Sequence, residues 1–226
     1  MSTIWNGLDW SVLTSALVSV VPALICIVLH ELSHGFAAYL LGDMTAKNAG
    51  RLTLNPIKHI DIFGLIMMAV CHFGWAKPVP VNMRNFKNPK RGMAITAAAG
   101  PLANVVIACV FMFLYGLCWP KLYAADTEIA STLLQMLYMT AYMSLVLAIF
   151  NIIPLPPLDG SKIFFSFLGD ERYYKLMRYE RYGMIVLMAL CLLNVFNSPL
   201  STAAGWVADK LFIFAEWGCS LALIFT

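Results

Sequence analysis

Charge is scarce in this sequence. Asp, Glu, Lys and Arg together make up 12% of its 226 residues, against 61% for hydrophobic types. A soluble domain carries about a quarter charged residues, so water is not the solvent of most of this chain. The formal net charge of +3 is too small to suggest nucleic-acid binding by phosphate neutralisation. No two of the six cysteines form C-x-x-C, and they read as buried thiols acting as small hydrophobes. No basic residue precedes the first apolar run and no small-residue cleavage site follows it, so a cleaved signal peptide is not expected. Internal repeats, low-complexity tracts and long flexible linkers are missing too. No glutamate occurs between Glu31 and Glu128.

What remains is apolar length. Runs at 11–41, 93–119, 129–153 and 182–196 read as strong spans, and weaker apolar pieces lie at 60–73, 163–168 and 206–225. A straight crossing takes about 20 residues, so the 60–73 piece is short for one. The expectation is an all-α integral membrane helical bundle of about 4–6 transmembrane segments. A short re-entrant or β-hairpin element is expected around residues 60–82, within a single membrane-embedded domain over 1–226. Lys and Arg fall in three clusters, around 47–58, 77–91 and 162–181, leaving only Lys121 and Lys210 outside them. All three lie on one side if 60–73 dips in and returns. By the positive-inside rule that side is cytoplasmic.

Against this background, "VLHELSHGF" (28–36) stands out. Glu31 is the only charged side chain between residues 11 and 41, and it sits between His30 and His34. Ionisable groups inside a membrane helix are expensive and mark function. H-E-x-x-H places both imidazoles on one helix face, where they can reach one metal ion. A zinc ion there lowers the pKa of its water, and Glu31 can accept the proton. The bland alternative is three polar residues bonded to one another inside a bundle.

Two histidines do not complete a catalytic zinc site. Among the acidic residues, Asp159 in "NIIPLPPLDG" (151–160) is the best-placed third ligand. Pro154, Pro156 and Pro157 forbid a regular helix before it. Non-helical backbone at membrane depth is tolerated only against protein or a water-filled cavity. Taken alone, Leu158-Asp159-Gly160 reads equally well as a plain loop turn.

These pieces, with "AGRLTLNPIKHID" (49–61), "GWAKPVPVN" (74–82) and "AAAGPLANV" (97–105), resemble the site-2 protease family of intramembrane zinc metalloproteases, in its short form. The resemblance covers roughly residues 26 to 168. It implies that His30, His34 and Asp159 ligate one Zn2+ per chain, that Glu31 is the catalytic base and that the active site faces the cytoplasm. The setting implied is multi-pass, in a prokaryotic cell membrane, with a transmembrane protein as substrate, the lipid bilayer around it and no nucleic acid.

A helix hides its scissile carbonyls, so a membrane-spanning substrate must unwind, and its freed backbone groups then need partners. Strand addition supplies them. In "GWAKPVPVN", alternate N–H groups share an edge. Pro78 and Pro80 blank one edge, while Lys77, Val79 and Val81 keep donors on the other. Val79 and Val81 are therefore candidate substrate contacts, against the alternative of a proline-stiffened surface loop. Asn151 is a third candidate, able to hydrogen-bond substrate backbone or a developing oxyanion, or else to satisfy carbonyls freed by Pro154. Ala97–Gly100 read as helix packing, with Asn104 as an interhelical hydrogen bond. His59 and His72 read as structural.

Three other functions compete. A zinc protease cutting at the membrane surface would draw a third ligand from a downstream helical Glu. A metal transporter or sensor would need further ligands along its spans. A catalytically silent scaffold would keep the fold without the reaction.

Overall fold

The computed structural model describes residues 10–64 and 76–224. Its helices are α1 (Trp10–Leu40), α2 (Thr45–Asn48), α3 (Pro89–Ala125), α4 (Glu128–Asn151), α5 (Asp159–Phe165), α6 (Asp170–Arg178), α7 (Glu180–Leu192) and α8 (Asn197–Ile224). Their starts follow from local chemistry. Asn88 caps α3 by accepting from Arg91 N, with Pro89 in the first turn where its missing N–H costs nothing. Thr127 caps α4 through Ala130 N. The proline run keeps 152–158 out of helix, and α5 opens on Asp159 itself.

α3 is the hub and packs against α1, α4 and α8. Small residues make the closest crossings. A Cβ added at Gly116 would stand 1.9 Å from the Ala215 carbonyl oxygen, and one at Gly218 would stand 2.2 Å from that of Phe113. Ala108, Leu145 and Ala208 form one apolar cluster, and Met112, Ala141 and Ala215 the next along the bundle. The outward faces stay apolar and open, as at Leu102 (64%), Val106 (61%) and Ile129 (76%). In lipid such faces are solvated, so exposure there carries no penalty.

Among the described residues three helices, Val18–Leu40, Pro89–Ala125 and Glu128–Asn151, are long and apolar enough to cross a membrane, or four if α7 and α8 together form one bent span. The expected span at 182–196 does not form as one helix. α7 has 13 residues, about 20 Å of rise, and the chain then turns by 85° into α8. The expected 206–225 piece instead begins at Asn197 and packs along α3 and α4.

The element expected at 60–82 is described only at its two ends. Ile60 and Ala76 form an antiparallel bridge, and among the described residues no longer strand is present. Lys77 N donates to the His59 carbonyl (2.9 Å), and the Arg51 guanidinium donates to that of Lys77 (2.7 Å). These contacts hold the first and second basic clusters together. Lys90 joins the second to the third by bonding Asp170 (3.1 Å) and the Leu168 carbonyl. All three clusters therefore occupy one end of the bundle.

Candidate metal centre

One helical turn separates His30 from His34, and α1 turns both imidazoles toward α3 and α5. Their rings stand edge to face with centroids 4.6 Å apart. Asp159, brought in at the head of α5, places Oδ2 3.2 Å from His30 Nε2 and 3.1 Å from His34 Nε2. The two Nε2 atoms are 3.1 Å from each other. All three residues are buried, at 5%, 9% and 9% exposure. Two imidazoles and a carboxylate are the donor set that zinc takes in a catalytic site with an open fourth position.

Groups behind the ligands fit the same purpose. To bind a cation through Nε2, a histidine must carry its proton on Nδ1 and give it to an acceptor. His34 Nδ1 lies 2.7 Å from the Thr96 carbonyl oxygen, which can only accept. His30 Nδ1 lies 3.2 Å from the Asn104 amide nitrogen, while the buried Asn104 Oδ1 has no hydrogen-bond partner among the described residues. The two ends of the amide are nearly isosteric, so a half-turn brings that acceptor onto His30 Nδ1. Gly100 keeps the pocket open, because a Cβ there would stand 2.5 Å from the His34 ring and 2.7 Å from His30 Cε1. The residues present therefore fit a bound zinc ion.

Glu31 faces the proline-containing segment. Its Oε2 accepts from Val79 N at 2.9 Å. The edge read from sequence as free for pairing thus has internal partners at two of its three donors, Lys77 on His59 and Val79 on Glu31. Val81 N has none among the described residues. The Val79 side chain is buried. Asn151 spends its amide N–H on the Leu147 carbonyl of its own helix (2.9 Å), keeping Oδ1 available. His59 is buried with Nε2 2.9 Å from the Thr53 carbonyl, so its role is to tie a loop. His72 lies outside the described residues.

Further along, Asp43 is fully buried just past α1. It accepts from Thr45 N and Oγ1, from Asn82 N (2.7 Å) and from the Asn85 amide (2.6 Å). This pins residues 82–85 beside the end of the helix that carries the histidines. Burial alone would raise the Asp43 carboxyl, but these hydrogen bonds win and hold it below the ordinary aspartate value.

Asn104 makes the interhelical hydrogen bond expected of it, and its partner is His30; Gly100, expected only to pack, also lies against both histidines. The "GPLAN" stretch carried a signal of close approach, but not of what it approaches.

Comparison with known proteins agrees with this geometry. "Peptidase family M50" matches residues 18–194. The chain is 39% identical to "Putative zinc metalloprotease YwhC" of Bacillus subtilis over 187 residues, 83% of each chain. Rip2 of Mycolicibacterium smegmatis, which carries the same description, is 27% identical over 82% of this chain and 71% of its own. "Zinc metalloprotease MJ0392" of Methanocaldococcus jannaschii is 23% identical over 95% of this chain and half of its own. No solved structure gives a significant match.

Proposed function

The chain belongs to peptidase family M50, the site-2 proteases, and from that membership we propose that it hydrolyses peptide bonds of unwound transmembrane segments as an intramembrane zinc metalloprotease. The observation that carries the proposal is the meeting of His30 Nε2, His34 Nε2 and Asp159 Oδ2 within 4.8 Å of one another, from helices distant in sequence. These three would hold one zinc ion per chain. When bound, zinc supplies a Lewis acid that eases deprotonation of water and polarises the scissile carbonyl.

The remaining steps fall to the chain's own groups. Glu31, next to His30 in sequence and on the side of segment 76–82, takes the proton of the attacking water and delivers it to the leaving amine. No covalent enzyme intermediate is needed. Unwound substrate pairs along 77–81. Val81 N offers a donor directly, and Val79 N ties that segment to the base. Asn151 Oδ1 accepts from substrate backbone. Gly100 keeps the far wall of the pocket thin.

Four crossings, counting α7 and α8 as one broken span, with 60–82 as a re-entrant element, give the short form of the fold. The basic end of the bundle faces the cytoplasm of a prokaryotic cell and carries the active site nearer that face.

The test pairs metal content with cleavage. Wild type, Glu31→Gln and Asp159→Ala are purified, their zinc is measured, and each is assayed on a model transmembrane substrate. Glu31→Gln should keep its zinc and lose cleavage by at least a hundredfold. Asp159→Ala should lose both metal retention and activity. Cleavage at the wild-type rate by Glu31→Gln would remove Glu31 from the mechanism.

A further inference from the structure

Helix α8 carries charge where a membrane bundle tolerates it least. Ala204, Ala208, Ala215, Gly218 and Ala222 are its buried stripe. Packing of Ala208 with Ala108 and Leu145, and of Ala215 with Met112 and Ala141, sets the middle of α8 level with the middles of α3 and α4. At 100° per residue, Asp209 and Lys210 fall on the two flanks of the line opposite that stripe, and both are exposed. Ile213, 45% exposed, lies on the line itself, and Trp206 (67%) and Trp217 (57%) lie close beside it. The Lys210 ammonium rests 5.9 Å from the centre of the Trp206 ring. Among the described residues neither Asp209 nor Lys210 takes part in an ion pair. Hydrocarbon offers neither water nor counter-charge at that depth, and membrane helices pair or bury such groups.

We propose that this face of α8 docks against the same face of a second copy of the chain, in a parallel two-fold dimer. Copies in one membrane share one orientation, so a symmetric pair has its axis along the bilayer normal and α8 meets its counterpart running parallel. In a parallel helix pair, a side chain on one flank of the contact line faces the opposite flank of the other helix, as at the g and e positions of a coiled coil. Asp209 therefore meets the second copy's Lys210, and Lys210 meets its Asp209. Two ion pairs form around a central Ile213 contact. Because the flanks carry opposite signs at adjacent positions, the surface is complementary to itself. An unrelated helix bearing one charge would leave the other uncompensated.

The experiment measures association of the full-length protein in liposomes, by energy transfer between copies carrying donor and acceptor fluorophores on N-terminal tags. Wild type should associate in a manner that depends on the protein-to-lipid ratio. Asp209→Lys and Lys210→Asp should each weaken self-association about tenfold or more. The double swap, which keeps both charges and exchanges their places, should recover wild-type association. A mixture of the two single variants should form mixed pairs. If a single variant folds poorly, the double swap still decides, since it has the composition of the wild type. Energy transfer no greater than random proximity for wild type at every ratio would overturn the proposal. So would full association of both single variants, or a folded double swap that stays monomeric. None of these readings depends on zinc or cleavage, so this proposal and the enzymatic one fail separately.

Discussion

Asn104 shows how much of a site can rest on a residue that touches no substrate. Its backbone carbonyl accepts from Ser144 Oγ at 2.8 Å, which fixes α3 to α4, and its amide stands against His30 Nδ1. Replacing it with leucine keeps the volume and removes the acceptor, leaving a buried imidazole N–H without a partner. Second-layer groups of this kind are worth about 10–100-fold in metal affinity. Asn104→Leu is therefore expected to bind zinc about 10–100-fold more weakly in competition with a chromogenic chelator, while Asn104→Asp, which keeps an acceptor, stays near wild type. Asp43 acts at the same scale through stability. Its carboxyl is lowered in the folded protein, so its contribution is present above the unfolded carboxyl's value of 3.8 and is lost as pH falls through the folded one. Asp43→Asn should cost about 1–3 kcal/mol near neutrality, and the gap from wild type in thermal denaturation should close as the medium is acidified below that unfolded value. The His30-Glu31-Leu32-Ser33-His34 run was legible in sequence because a single turn of helix fixes its geometry. Asp159 was legible as a carboxylate following a proline break. The partners of Asn104 and of Val79 N lie 74 and 48 residues away, and no local periodicity encodes such distances.

At the scale of elements, hydropathy located α1 and α4 to within two residues at each end, but misjudged the ends of α3 and one of its neighbours. α3 begins at Pro89, four residues before the apolar run, because the Asn88–Pro89 cap and not hydrophobicity starts a helix. The 182–196 run is apolar enough for a span, yet its helix stops at Leu192 and the chain bends. α8 was half hidden because Asp209, Lys210 and Glu216 dilute its apolar signal, while its Ala and Gly stripe, which decides its packing, scores weakly on any hydrophobicity scale. That stripe sets the next expectation. At Gly116 the backbones of α3 and α8 approach so closely that any side chain must push them apart. Gly116→Leu should destabilise the bundle by several kcal/mol, an overpacking against backbone that cannot yield by a rotamer change. Gly205→Leu, at a position with no atom within 4 Å of an added Cβ, should cost under about 0.5 kcal/mol. Comparing the two by unfolding in mixed micelles checks the assignment, and equal losses would mean that α8 does not pack on α3 at this point.

Across the whole molecule, the distribution of positive charge and the fold point to the same end. The three basic clusters are separated by apolar sequence, so whether they share a side depends on whether 60–73 crosses. Composition alone leaves that open. The Ile60–Ala76 bridge, Arg51 on the Lys77 carbonyl and Lys90 on Asp170 bring the clusters together. By the positive-inside rule, basic clusters gathered at one end of a bilayer protein give the expectation that this end faces the cytoplasm. The turn between α3 and α4, near Asp126, then lies on the opposite side. The expectation can be checked in intact cells with a membrane-impermeant thiol reagent, using single cysteines at Lys87 and at Glu128 in a background whose six native cysteines are replaced by alanine. Glu128→Cys should label from outside, and Lys87→Cys should label only after the membrane is opened. The reverse pattern would turn the zinc pocket toward the outside and require substrates to present their cleavage sites from there.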